Sequence, residues 1–315
     1  MRPMLAALCA GLPTLASALR VSTPIMVQAP PAAAVPAVGI VDQDPDYWRG
    51  KRVLLAGASS GLGEALAMEL SMRGAKLVIT ARRADRLAAI AGKCARTTSY
   101  GEASSLPSFL AMDVTLDSPT LEAQAAEAAE LLGGPVDVLC YAAGVGQRTL
   151  VKDTTADAHR QVMATNFEGA VALSRAVLPP MLEQGSGHLV VVSSVQGFFG
   201  QPGRSSYAAS KAAMNGYFDA LRAEVASKGV GVTVVAPGYI ATDHSASAVG
   251  GDGGPDENAK KGMSPDLLAM QIADAVEKQQ PQLLASQLDG RLAILLRAIW
   301  PALFFRIMEG KADKI

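Results

Sequence analysis

Seven short apolar runs alternate along the chain with stretches whose apolar residues recur every three or four positions. The runs are Arg52–Ala56, Lys76–Ala81, Phe109–Val114, Val136–Tyr141, His188–Ser193, Gly231–Ala236 and Gln282–Ala285. Their length and their content of Val, Leu and Ile suit strands buried on both faces. Between them, segments such as GEALAMELSMRG and EAQAAEAAELLGG carry helical spacing. Strand and helix in alternation predict an α/β fold: one domain built on a doubly wound parallel sheet of about seven strands, with helices on both faces. Ligands of such a sheet bind beyond the carboxyl ends of its strands.

The rhythm fails at both ends. Residues 1–41 contain Arg2 and Arg20 but no acidic residue, and LAALCAGLPTLASAL is an apolar run with Ala16-Ser17-Ala18 near its end. That is the pattern of a signal segment with a small-residue cleavage site. The run is short for a bilayer span of about 20 residues and holds Pro13, so a permanent anchor is less favoured. An acid-poor leader also suits plastid or mitochondrial import, and a plain disordered tail is the bland alternative. APPAAAVPAV then reads as a stiff linker, which ends the leader region at residue 46 and starts the folded domain at Tyr47. From residue 290 to 315 the chain predicts an apolar helical extension. Its core, RLAILLRAIWPALFFRIM, is apolar on nearly every face and kinked at Pro301. Such a helix must pack on the core, line a greasy substrate mouth, or lie in a membrane interface with Trp300 and the arginines at headgroup level.

Charge and ligating residues narrow the function. The 28 basic and 29 acidic residues are mixed along the chain and leave a net charge of -1, which offers no field for gripping nucleic acid. Cys9, Cys94 and Cys140 are too far apart for a disulfide framework or a zinc site, and His159, His188 and His244 are scattered. No metal is expected.

LLAGASSGLG, residues 54–63, holds two signatures at once. Gly57 to Gly61 fits the G-x-S-x-G elbow of a serine hydrolase, with Ser59 as nucleophile. Gly57, Gly61 and Gly63 also fit the glycine-rich turn of a Rossmann-type dinucleotide site. Position decides for the second, because a hydrolase elbow follows several strands whereas this turn follows the first. After the second strand, Arg82 and Arg83 stand where many NAD sites carry an acid. Two guanidiniums there favour a 2′-phosphate and hence NADP(H) over NAD(H). Asp113 and Val114, at the end of the third run, could meet an adenine edge.

YAASK, Tyr207 to Lys211, opens a helical stretch after the fifth run, with Tyr207 and Lys211 one turn apart on one face. An ammonium close by favours the phenolate, which would let Tyr207 exchange a proton with a substrate oxygen. Ser193 and Ser194 end the fifth run on the same rim, where one hydroxyl can hold that oxygen. Asn166 sits inside a helical run, where asparagine needs a polar reason to be.

Together these residues resemble the short-chain dehydrogenase/reductases. The G-x-x-x-G-x-G turn at Gly57, Gly61 and Gly63 is similar to the family's cofactor signature, and Tyr207 with Lys211 to its Y-x-x-x-K pair. Ser194 by spacing, and Asn166, complete the catalytic set that the resemblance implies, and Pro237-Gly238 through Thr242 resembles the P-G-x-x-x-T turn that meets the nicotinamide. The cofactor contacts so implied are Gly57, Ser59, Ser60, Gly61, Leu62, Gly63, Arg82, Arg83, Asp113, Val114, Ala143, Gly144, Tyr207, Lys211, Pro237, Gly238, Ile240 and Thr242. SSVQG, YAASK, RAEV, APGYIAT and the tail further resemble the dehydrogenase/reductase family member 7B group, relatives of the 11β-hydroxysteroid dehydrogenases. That group implies NADP(H), a hydrophobic carbonyl or alcohol substrate, membrane association and an endoplasmic reticulum or other organelle address. The family also implies a homodimer or tetramer. Two departures stand out: Ala56 replaces the usual Thr, and Tyr141-Ala142-Ala143-Gly144 replaces N-N-A-G. They favour the rival expectation, a non-catalytic NADP(H)-binding sensor or scaffold, which the complete catalytic set opposes. The Gly-rich loop Asp243 to Gly262 reads as a substrate lid or as a surface insertion.

Overall fold

In a computed structural model the description covers residues 46–97, 106–242, 248–250 and 259–312. The expected leader and linker, and most of the expected lid, lie outside these residues. Asp42–Ile315 forms one compact unit. The described residues form seven strands: β1 Arg52–Ala56, β2 Lys76–Ala81, β3 Ser108–Ala111, β4 Val138–Tyr141, β5 Gly187–Val192, β6 Val230–Val235 and β7 Gln282–Leu283. All pairings are parallel, in the order β3-β2-β1-β4-β5-β6-β7. The order reverses between β1 and β4, which opens a crevice at their carboxyl ends.

Parallel strands need crossovers, and the helices supply them on both faces. α1 Gly61–Met72, α2 Ala84–Thr97 and α7 Pro265–Glu277 cover one face. There Leu66, Leu70, Leu87, Ile90 and Ile272 join Val53, Leu55 and Ile79 in one buried cluster. α3 Ser118–Leu132, α5 Gly169–Gln184 and α6 Ser205–Val225 cover the other face. Leu121, Leu173 and Phe218 meet Leu54, Val78, Leu139 and Val191 there. β1, β4 and β5 are thus apolar on both faces because helices lie on both. Local signals fix the helix ends. The Asp117 side chain accepts the Thr120 N–H at 3.2 Å to start α3, and Gly133, at φ 74°, stops it.

Two helical features depart from the pattern. α4 Ala156–Met163 runs into α5 through a π-turn, Ala164–Glu168. The C-terminal extension is two helices and not one kinked helix: α8 Leu288–Ile299 and α9 Pro301–Ala312. Pro301 lacks the N–H and φ freedom to continue α8 but suits the first position of a new helix. A third buried cluster joins the extension to the domain, with Phe304 against Phe199 at 5.6 Å between ring centroids.

Candidate active site

The first wall of the site is the β1–α1 turn. Gly57 has φ 91° and Gly61 φ 57°, conformations that L side chains rarely adopt. A Cβ on Gly57 would collide with the backbone of Ala143 after β4, and one on Gly63 with the Gly57 carbonyl. The bare Cα atoms therefore let two strand ends and α1 close up around the crevice. Ser60 caps α1 without a side-chain bond, which leaves the first-turn N–H groups available to an anion. Arg83 leans over this turn, donating from Nη2 to Ser59 Oγ at 2.8 Å and to Ser60 Oγ at 3.2 Å. Asp113 Oδ1 accepts from Thr115 N and Oγ1, at 3.0 and 2.8 Å, which fixes the bend after β3. Opposite, the Thr242 methyl lies 3.1 Å from where a Gly61 Cβ would stand, so the Pro237–Thr242 turn faces the glycine turn.

One cavity of about 1110 Å³ takes in every expected cofactor contact, from Gly57 and Arg83 to Ile240 and Thr242, together with Ser194, Tyr207 and Lys211. That is above the roughly 300–1,000 Å³ of a single small-molecule pocket. There is room for a dinucleotide with a substrate beside it.

The residues expected to carry acid–base chemistry stand on α6 and at the end of β5. Lys211 is buried, and its Nζ donates to Val192 O at 2.7 Å and stands 5.7 Å from the Tyr207 ring centroid. Burial pushes the Lys211 ammonium down to about 7. The expectation that Lys211 would acidify Tyr207 is not met. Burial pushes the Tyr207 phenol up, against contact with Ser194 and the charge of Arg204, which lower it. The two adjacent serines part company. Both border the cavity, but Ser193 Oγ is engaged by α6, donating to Asn215 Oδ1 at 2.6 Å, whereas Ser194 stands in contact with Tyr207.

Asn166 is fully buried in the π-turn and does not line the cavity. Its Oδ1 accepts from Val145 N at 2.7 Å, and its Nδ2 donates to Val145 O at 3.0 Å and Ser210 Oγ at 2.9 Å. Ser210 in turn donates to Tyr207 O at 2.7 Å, so Asn166 ties the loop after β4 to the first turn of α6. Behind it, Tyr141 donates to Thr165 O at 2.5 Å.

Several cavity residues carry no sequence signal of their own. Arg204, one turn before Tyr207, lines the cavity with Gln196, Gln201 and Phe199. Gly290 and Ala293 bring α8 to the mouth. A Cβ on Gly290 would collide with Ser286 Oγ and approach Val195 Cγ1 to 3.6 Å, so this glycine lets α8 lie against the Ser194 loop. Part of the expected lid is described. Val249 N donates to Gly146 O at 2.9 Å and Val249 O accepts from Arg148 N at 3.2 Å, pinning that segment to the loop after β4. Among the described residues no group of three or more His, Cys, Asp or Glu could hold a metal ion.

The donor set fits a nicotinamide dinucleotide: a glycine cradle that no side chain could share, an uncapped helix start, and two arginines beside it. Comparison with known proteins points the same way. The short chain dehydrogenase family model matches residues 51–251. Dehydrogenase/reductase SDR family member 7B of Danio rerio is 42% identical over 270 residues, covering 84% of this chain and 86% of that protein. The Bos taurus protein of the same name is 39% identical over 274 residues, covering 85% and 83%. Dehydrogenase/reductase SDR family protein 7-like of Drosophila melanogaster is 38% identical over 272, covering 84% and 82%. Among solved structures, a short-chain dehydrogenase from Streptomyces avermitilis superposes with a TM-score of 0.65 at 27% identity, over 84% of this chain and 97% of that one.

Proposed function

Since the chain belongs to the short-chain dehydrogenase family, and is thus an oxidoreductase working with a nicotinamide cofactor on small carbonyl or alcohol substrates, we propose that it uses NADP(H) to reduce a hydrophobic ketone or oxidise the matching alcohol, with Tyr207 as acid–base. The observation that carries this reading is the sharing of one cavity by the glycine turn, Arg83, Ser194, Tyr207 and Lys211. Bound nicotinamide supplies or accepts the hydride. Arg82 and Arg83 receive the 2′-phosphate, and the α1 N-terminus with Ser59 and Ser60 receives the pyrophosphate. Pro237, Gly238, Ile240 and Thr242 hold the nicotinamide end. Ser194 Oγ holds the substrate oxygen and Tyr207 Oη gives it a proton. A phenol is protonated at neutral pH and burial raises this one further, so Tyr207 stands ready as an acid, which suits reduction. Lys211, shared between its charged and neutral forms near pH 7, holds the ribose and replaces the proton that Tyr207 gives up. Asn166 braces the site from behind.

A hydrophobic substrate is supported by Phe199, Val195 and Ala293 along the cavity. Seating on an organelle membrane through α8 and α9 is the matching mode of delivery. The test follows nicotinamide absorbance with long-chain methyl ketones and steroid ketones, using NADPH and NADH in parallel. Turnover with NADPH is expected, and Tyr207→Phe should lower kcat by about 10²–10⁴-fold while NADPH still binds. NADPH binding with no turnover in the wild type would mark a sensor and overturn the reading.

A further inference from the structure

Tyr141 occupies a place that joins the cofactor turn to the acid–base helix. It is the last residue of β4, in register with Ala56 of β1, and its side chain is fully buried. The next residue, Ala142, bonds to Ala56 O at 2.9 Å, and Ala143 closes against Gly57. From this strand end the Tyr141 hydroxyl reaches the Thr165 carbonyl at 2.5 Å. The partner is available because of the π-turn. In a regular α-helix the Gly169 N–H would bond to Thr165 O, but here it bonds to Ala164 O, five residues back. Gly169 also makes room: a Cβ there would lie 2.6 Å from Tyr141 Oη and 2.5 Å from Val114 O. Burial holds the phenol far up in its range, so it remains a donor at any working pH.

We propose that Tyr141 is a positioning residue: its hydroxyl holds open the π-turn at Ala164–Glu168 and so fixes Asn166, and through Ser210 the first turn of α6, relative to the glycine turn. The chain of contacts is continuous. Tyr141 holds Thr165, the neighbouring Asn166 grips Val145 and Ser210, and Ser210 bonds to the Tyr207 carbonyl. Tyr141 thereby takes over, from the strand side, the bracing of the pocket that the departure from N-N-A-G would otherwise forfeit. Its link to catalysis rests on the proposed role of Tyr207, but its link to the π-turn does not.

The experiment has two arms, both on the full chain. Tyr141→Phe removes only the hydroxyl. Leu173→Val, a buried change on α5 in the same core, serves as the control for lost packing. In hydrogen–deuterium exchange, Tyr141→Phe should speed exchange of peptides spanning 164–169 by about tenfold, as expected for one buried bond lost, with other core peptides following the control. In the ketone assay it should lower kcat about tenfold and move KM for NADPH less than about twofold. Exchange across 164–169 equal to that of the control overturns the proposal. So does an unchanged kcat in a chain that turns over. If the wild type reduces no ketone, the functional reading fails alone and the exchange arm still decides this one.

Discussion

In the proposed reading, cofactor choice turns on Arg83. Its guanidinium already lies on Ser59 and Ser60 beside the glycine turn, held by neutral hydroxyls that a phosphate would replace with a stronger, charge-assisted pairing. Arg83→Ala should therefore raise the Kd for NADPH by about 10–100-fold, the worth of one or two such bonds, and that for NADH by less than about twofold. Titration by nicotinamide fluorescence checks this. Equal losses for both dinucleotides would reduce Arg83 to a support for the turn. Arg82, Arg83, Tyr207 and Lys211 were legible in the sequence because spacing along a strand end or one helical turn dictates which side chains converge. Arg204 and Tyr141 were not. Arg204 acquires meaning only when α6 is turned toward the cavity, and Tyr141 only when a π-turn, which apolar spacing does not mark, presents it with a carbonyl. The sign of the Tyr207 shift was unreadable for a related reason. Proximity in sequence announced the Lys211 cation, but desolvation depends on what packs around both groups.

At the level of elements, the strands were legible because each is a short run rich in apolar residues set between helical stretches of the chain, and the central ones, β1, β4 and β5, are covered by helices on both faces. The boundaries drifted, as at β3, where Ser108–Ala111 replaces Phe109–Val114, because hydrogen-bonded pairing and not hydropathy ends a strand. One strand pair carries a pH dependence. His188 on β5 is opposite Gly231 on β6, where a Cβ would collide with the imidazole. Thr233 donates to Gln280 O at 2.6 Å and so accepts from His188 Nε2 at 2.8 Å, linking β5, β6 and the turn before β7. Burial pushes His188 down to about 4, with the neighbouring Gln279 side chain offsetting a part of the shift. The unfolded chain thus takes up a proton near pH 6.5 that the folded chain refuses until about pH 4. Its contribution is complete above pH 6.5 and is lost as the pH falls towards 4. The loss is on the order of 3 kcal/mol. Urea unfolding from pH 7 to 4.5 should show it, and His188→Gln, which cannot charge, should flatten that slope. A variant with the wild-type slope would assign the pH dependence to carboxylates.

On the scale of the whole molecule, the C-terminal pair has one face in the domain and one without cover. Phe304 is buried against Phe199, while Leu288, Leu292, Leu295 and Ile299 recur at helical spacing along α8 and are each more than half exposed. Hydropathy along the chain foretold an oily tail, but which stripe would find a partner depends on the break at Pro301 that folds α9 back. No helix among the described residues is long and apolar enough to cross a membrane. A stripe of this kind suits lying in a lipid interface, with Arg291 beside it and Trp300 at its end. The two tryptophans make this measurable, because Trp48 is 1% exposed and Trp300 is 55% exposed. With vesicles containing phosphatidylglycerol, Trp300 emission should shift to the blue and be quenched by brominated acyl chains. Trp300→Phe should abolish both signals, and Leu292→Glu with Ile299→Glu should weaken vesicle capture by about tenfold or more, the worth of two apolar side chains left unburied. A blue shift that instead grows with protein concentration in the absence of vesicles would assign the stripe to a second copy of the chain. Vesicle binding with Trp300 unaltered would place the membrane contact elsewhere in the molecule, so that α8 and α9 serve only as the wall of the substrate cavity.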